Sequence, residues 1–238
     1  MAPRELPNDD PTAPPMLPRG RRALPREDYL TIQRARLIAA MNESAATRGY
    51  AATSLRELTR LAGVSKSTFY EVFATKEDCF LAAFESSMQR AREQVLAAYD
   101  SDEPWLERLR SALGAFLELA AREPGLTRMY LLEVAAAGPR ALALRDSAVE
   151  LFAALLRSAL RSAPGRPEAS ESSVRALVGG IQQILRARVL AGDVERLPGL
   201  RDELLYATLV LVMTPVQAAR ASGLPADDPP PATETVTP

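Results

Sequence analysis

An all-α fold is predicted by three features of this 238-residue sequence. Between residues 26 and 222, apolar residues recur every three or four positions, the period of a helix with one buried face. Runs of β-branched residues and strand-pairing turns are scarce. Proline punctuates the chain instead of interrupting it: seven of the 19 prolines fall in residues 1–25, and none falls between Arg26 and Glu103. The stretches 1–25 and 223–238 are Pro-rich without apolar periodicity, so both are expected to be disordered tails.

The first helix carries Leu37, Met41 and Ala45 on one stripe and is stopped by Gly49. Ser54 and Glu57 form the ends of an expected capping box, with Ser54 accepting from the Glu57 amide and the Glu57 carboxylate reaching back. This opens a short helix whose inner side is Leu55, Leu58 and Leu61, and Gly63 permits a tight turn after it. Ser65 caps a third helix with Val64, Phe69, Val72 and Phe73 facing inward. Thr75, three residues before Asp78, caps a long fourth helix through Leu81, Phe84, Met88 and Val95 to about Tyr99. Further helices are expected at 104–122, 124–137, 139–162, 170–191 and 199–221. The breaks between them carry Pro124-Gly125, Gly138-Pro139, Pro164-Gly165-Arg166-Pro167 and Pro198-Gly199.

Composition excludes several chemistries. With no histidine, there is no Ser-His-Asp triad, no Cys-His pair and no His-ligated zinc. The single cysteine, Cys79, excludes an intrachain disulfide and a multi-Cys metal site, and a buried small side chain is its simplest role. No metal, cofactor or catalytic residue is expected. No apolar run approaches a membrane span and no signal-peptide core opens the chain, so a cytoplasmic location is expected. Charge is uneven under a net of −1: Arg19 to Lys76 holds 11 basic and five acidic residues. A basic segment on a near-neutral chain fits a polyanion met by one region, or chance clustering in an Arg-rich chain.

Residues 54–73 read as helix, tight turn, helix, the layout in which the second helix enters the DNA major groove. That helix presents Lys66, Ser67, Thr68 and Tyr70 outward. Lys donates to guanine O6/N7, Ser and Thr bond several base edges, and Tyr suits a phosphate oxygen. The chain has only two lysines, Lys66 and Lys76, and each opens a helix in this region.

Residues 49–84 resemble the DNA-binding domain of the TetR/AcrR family of transcriptional regulators. The shared positions are Gly49-Tyr50, Thr53-Ser54, Ala62-Gly63-Val64-Ser65, Thr68-Phe69-Tyr70, Phe73 and Lys76-Glu77. The resemblance implies DNA contact by Thr53 and Ser54, base or phosphate contact by Lys66, Ser67 and Thr68, and phosphate contact by Tyr70 and Lys76. It also implies a helical C-terminal domain for ligand binding and dimerisation. The domains are then a helix-turn-helix unit at 26–75 and an effector-binding and dimerisation unit at 76–222. Ser67, Glu71 and Val72 depart from the family pattern. Glu71 accepts from a cytosine N4, is a solvated residue, or pairs with a neighbouring Arg. Arg19, Arg21, Arg22 and Arg26 form either a DNA-touching arm or a solvated tail.

In the second half, Met88, Trp105, Phe116, Met129, Tyr130 and Phe152 either line a ligand cavity or form plain core. Glu133, among Leu131, Leu132 and Val134, pairs with a cationic ligand or with an Arg of another helix. Val174, Leu177, Val178 and Ile181, with Leu205, Leu209 and Val212, form two apolar stripes expected at a homodimer interface, the alternative being intrachain core. The expected function is a homodimeric regulator, a repressor of operator DNA released by a small-molecule effector. A DNA-binding activator, an architectural protein without effector, and a helical enzyme are the alternatives.

Overall fold

The structure, a computed structural model, describes residues 25–163 and 168–225. The expected tails therefore lie outside the described residues, apart from Pro25 and 223–225, and so do Arg19, Arg21 and Arg22. Among the described residues the secondary structure is helical, without strands.

Helix α1 (Arg26–Arg48) is followed by α2 (Leu55–Ala62) and α3 (Lys66–Val72). Helix α4 (Lys76–Tyr99) leads into α5 (Trp105–Arg122) and α6 (Pro124–Leu131). A 3₁₀ segment, Glu133–Ala137, precedes α7 (Pro139–Arg161), and α8 is Glu171–Ala191. A second 3₁₀ segment, Val194–Leu200, precedes α9 (Arg201–Leu209) and α10 (Pro215–Ser222).

Local chemistry explains most borders. Ser65 and Thr75 cap α3 and α4 by accepting from the amides of Thr68 and Asp78, each at 3.0 Å. Gly63 adopts the left-handed conformation that ends α2, and the Val64 amide turns back to the Thr59 carbonyl at 3.0 Å. Ser54 accepts from the Glu57 amide at 3.2 Å, but the return half of the box is missing. The Glu57 carboxylate turns to Arg60 instead, at 2.8 Å, because a charged partner one turn on outbids a neutral amide.

Two expected helices are each divided. The segment 124–137 breaks at Leu132, whose φ of −117° ends α6 before the 3₁₀ segment. The segment 199–221 breaks after Leu209: Leu211 and Val212 bond three residues back, and Thr214 and Gln217 cap a fresh helix that opens on Pro215. Proline lacks the amide needed to continue α9, and it suits a first turn.

The helix-turn-helix core does not stand alone. Leu37, Met41, Leu58, Phe69 and Phe73 share one buried cluster with Phe80 and Phe84 of α4, Met129 of α6, Val134 and Ala141. A second cluster joins α5, α7, α8, α9 and α10 around Leu109, Val174, Leu205, Leu209 and Val212. The expected dimer positions Val174, Val178, Leu205, Leu209 and Val212 are thus corrected: all are buried within one chain. The helix break after Leu209 lets α10 fold back over α9, so the apolar stripe is used up inside the molecule.

Candidate functional site

Helix α3 is short, with one aromatic anchor. Phe69 is fully buried, its ring 5.5 Å edge-on from Tyr70 and 6.0 Å from Phe73. Burying a ring of this size contributes about 1.5–3 kcal/mol, enough to fix which face of a seven-residue helix points out. That outer face carries Lys66, Ser67 and Tyr70, all exposed, with Thr68 half-buried beside them. The Lys66 ammonium lies 5.9 Å from the Tyr70 ring centre. The Ser65 hydroxyl contacts those of Ser67 and Thr68 at 2.7 and 2.8 Å, so the three hydroxyls form one chain at the helix start.

Ser54 is exposed at the start of α2, and so is Arg56 two residues on, a cation that the sequence reading passed over. Glu71 pairs with Arg26 at 3.2 Å, an Arg partner being among its expected roles.

Two expected DNA contacts face inward. Thr53 is buried, with its hydroxyl donating to the Gly49 carbonyl at 2.9 Å and meeting that of Ser44 at 2.9 Å. Lys76 is half-buried and donates to the carbonyls of Tyr50 and Thr53 at 3.0 and 2.9 Å, with its ammonium 4.1 Å from the Tyr50 ring centre. Burial lowers its pKa. Both residues are occupied in holding the turn between α1 and α2.

Tyr50 is the centre of that turn, a role no local pattern announced. Its ring packs edge-on to Phe80 at 4.8 Å, and its carbonyl takes Lys76. Its amide donates to the Glu133 carboxylate at 3.0 Å. Glu133 also faces Arg128 at 3.6 Å, so its partners are protein groups and it lies away from the cavity described next. Glu133 is thereby corrected as an effector contact. Gly49, at φ +82°, makes room for it: a Cβ there would stand 2.8 Å from a Glu133 oxygen.

An apolar cavity of about 300 Å³ lies between α4, α5, α6, α7 and α8, with Thr208 of α9 at one side. Of the expected lining residues, Met88, Phe116, Tyr130 and Phe152 border it. Trp105 sits in the neighbouring core, and Met129 is fully buried in the helix-turn-helix cluster. Val178 and Ile181, expected at a dimer face, line the cavity too. Leu177 is half-buried. Gln182 borders the cavity and donates to the Tyr130 hydroxyl. Its position was legible, since Val178, Ile181, Gln182 and Leu185 keep the i, i+3, i+4, i+7 spacing of one helix face. At the rim, Arg90 faces Glu123 at 3.7 Å.

Fold and site together define a helical protein with an N-terminal helix-turn-helix unit and a hollow helical second half. Residues 37–83 match the sequence profile of the tetR family of bacterial regulatory proteins, so the TetR resemblance is shown by an independent comparison as well as by motif. The chain is 33% identical over 100 residues to the HTH-type transcriptional activator FasR of Mycolicibacterium smegmatis. That match spans 42% of this chain and 43% of the relative, less than half of its length. The fold is similar to that of the fatty acid degradation regulator FadR from Bacillus halodurans, with a TM-score of 0.66 at 17% identity over 75% of this chain and 94% of the other. It is also similar to FadR from Bacillus subtilis, solved in complex with stearoyl-CoA, with a TM-score of 0.64 at 19% identity over 74% and 96%. At such identities these two structures share the fold.

Proposed function

We propose that the chain is a TetR-type transcriptional regulator that binds operator DNA through α3 and loses that grip when an elongated apolar ligand fills the cavity. The observation that carries this is the pairing of the exposed Lys66–Tyr70 face with the apolar cavity in one chain. Lys66 and Ser67 read base edges, while Tyr70, Ser54 and Arg56 meet phosphates. The stearoyl-CoA bound by the Bacillus subtilis neighbour supports an acyl-type ligand for a cavity built of the same fold.

Helix α6 supplies the coupling. Leu126, Thr127 and Tyr130 line the cavity, and Glu133, just beyond the end of α6, holds the Tyr50 amide in the helix-turn-helix unit. Filling the cavity moves α6 and pulls on that bond, which shifts α2 and α3 against DNA.

The regulator acts as a homodimer, since one seven-residue helix reads few bases and paired half-sites one DNA turn apart supply the rest. The surface available is the outer side of α8, where Gly180, Ile184 and Leu190 are exposed. A Cβ on Gly179 or Gly180 would meet nothing within 4 Å, so a second helix can approach closely there.

A mobility-shift assay on the DNA upstream of the gene for this chain, with stearoyl-CoA as the added ligand, tests the reading. Retardation by the protein and its release by the ligand are the expected results. The FasR match favours a second reading, an activator whose DNA complex the ligand modulates, and a reporter gene separates the two by the sign of the response.

A further inference from the structure

The cavity wall is apolar but for a few groups, and most of those are already engaged. The Ser87 hydroxyl donates to the Ala83 carbonyl, that of Thr127 to Ala120, and that of Thr208 to Leu204, each at 2.8 Å. The Ser162 hydroxyl donates to the Ser158 carbonyl. At the rim, the Arg90 guanidinium has the Glu123 carboxylate against it, and only its Nε is buried without a partner.

Tyr130 differs. Gln182 Nε2 donates to its phenol oxygen, which leaves the phenol hydrogen with no acceptor among the described residues. Both side chains line the cavity, so a ligand atom can take that hydrogen. The ring is held in place by stacking on Phe84, with centroids 5.5 Å apart and planes at 26°. Burial pushes the phenol pKa up to about 12, so the group stays a donor throughout the neutral range.

We infer that Tyr130, oriented by Gln182, is a hydrogen-bond donor that selects cavity ligands carrying a neutral carbonyl oxygen (ester, thioester or ketone) on an apolar body. This rests on the cavity being the ligand site. A free carboxylate is disfavoured there on two grounds. Taking an ion into an apolar cavity is costly without a counter-charge. Arg90, the cation lining the cavity, is already neutralised by Glu123, which would repel a second carboxylate, and Arg145 near Tyr130 is paired with Asp146.

The test is displacement of a cavity-bound hydrophobic fluorescent dye by methyl decanoate and by decanoate at pH 7.5. It uses the wild-type protein and the Tyr130→Phe, Gln182→Leu and Arg90→Ala variants, each checked by thermal melting. Phenylalanine keeps the stack on Phe84, so Tyr130→Phe folds while removing the phenol hydrogen offered to the ligand, together with the oxygen that accepts from Gln182. The expected result is that wild type prefers the ester, and that Tyr130→Phe weakens the ester by about 3- to 10-fold, the worth of one net hydrogen bond. Gln182→Leu weakens it less, and Arg90→Ala leaves it unchanged. Tighter binding of decanoate that is lost in Arg90→Ala overturns the inference in favour of an anion site at the rim. Ester binding indifferent to Tyr130→Phe overturns it as well, while leaving the cavity reading intact. Displacement by neither compound overturns the cavity reading itself.

Discussion

Replacing Glu133 by alanine removes the bond between the second half of the molecule and the turn that sets α2. The Tyr50 amide donates to a charged acceptor at 3.0 Å, and the Glu133 side chain is only 14% exposed. A hydrogen bond to a charged group contributes about 1.5–3 kcal/mol, and its loss leaves a part-buried amide unpaired. The ion pair with Arg128 adds roughly 0–1 kcal/mol, because Arg128 is largely in solvent and screened. A loss of about 2 kcal/mol follows, which for a chain of this size lowers Tm by about 4–8 °C. Glutamine retains an oxygen for the Tyr50 amide but gives up the charge, so Glu133→Gln loses about half as much. Scanning calorimetry of the three proteins under one buffer measures this directly. An alanine variant that melts with wild type would falsify the placement of Glu133 as the latch between the two halves.

The other expectations are more local. Lys66→Ala weakens operator binding by about 1–3 kcal/mol in a titrated mobility shift while Tm is unchanged, since the side chain lies outside the Phe69 core. Ile184→Glu on the outer face of α8 converts dimer to monomer in sedimentation without lowering the monomer's helicity, whereas Leu209→Glu, at a fully buried position, unfolds the chain. The Asp78 carboxyl is held below its ordinary 3.8, chiefly by the hydrogen bond from Arg140, then by that from Thr75. The unfolded chain therefore takes up that proton first, and the stabilisation present above pH 3.8 is lost as pH falls through the lower folded-state value. The Tm gap between wild type and Asp78→Asn consequently narrows as pH falls below 3.8 in a series of melts.

The all-α class, the capped starts of α3 and α4 and the outward face of α3 were legible because each depends on residues within one or two turns. Ser65, Phe69 and Gly63 state their roles locally. The stripe through Leu205, Leu209 and Val212 announced burial but not its partner: apolar periodicity is the same whether a second copy or α10 covers it. Pro215 and the Thr214–Gln217 cap were in the sequence, yet the stripe continues to Val212, past the end of α9 at Leu209, and masks the break. Glu133 stood out as a carboxylate among apolar neighbours, but its partner Tyr50 is 83 residues away and binds through a backbone amide that no side-chain pattern signals. Thr53 and Lys76 show the limit of a family resemblance. Residue type carries over between relatives, whereas the direction of a side chain depends on what this chain packs around it, here Ser44 and Tyr50.

The most direct test of the account is DNase I footprinting of the purified protein on the region upstream of its own gene, with and without stearoyl-CoA. Two protected half-sites about one helical turn apart are predicted, weakened for Lys66→Ala and altered when the ligand is added. Absence of any protected site, or a footprint that Lys66→Ala leaves untouched, contradicts the assignment of α3 as the DNA-reading helix.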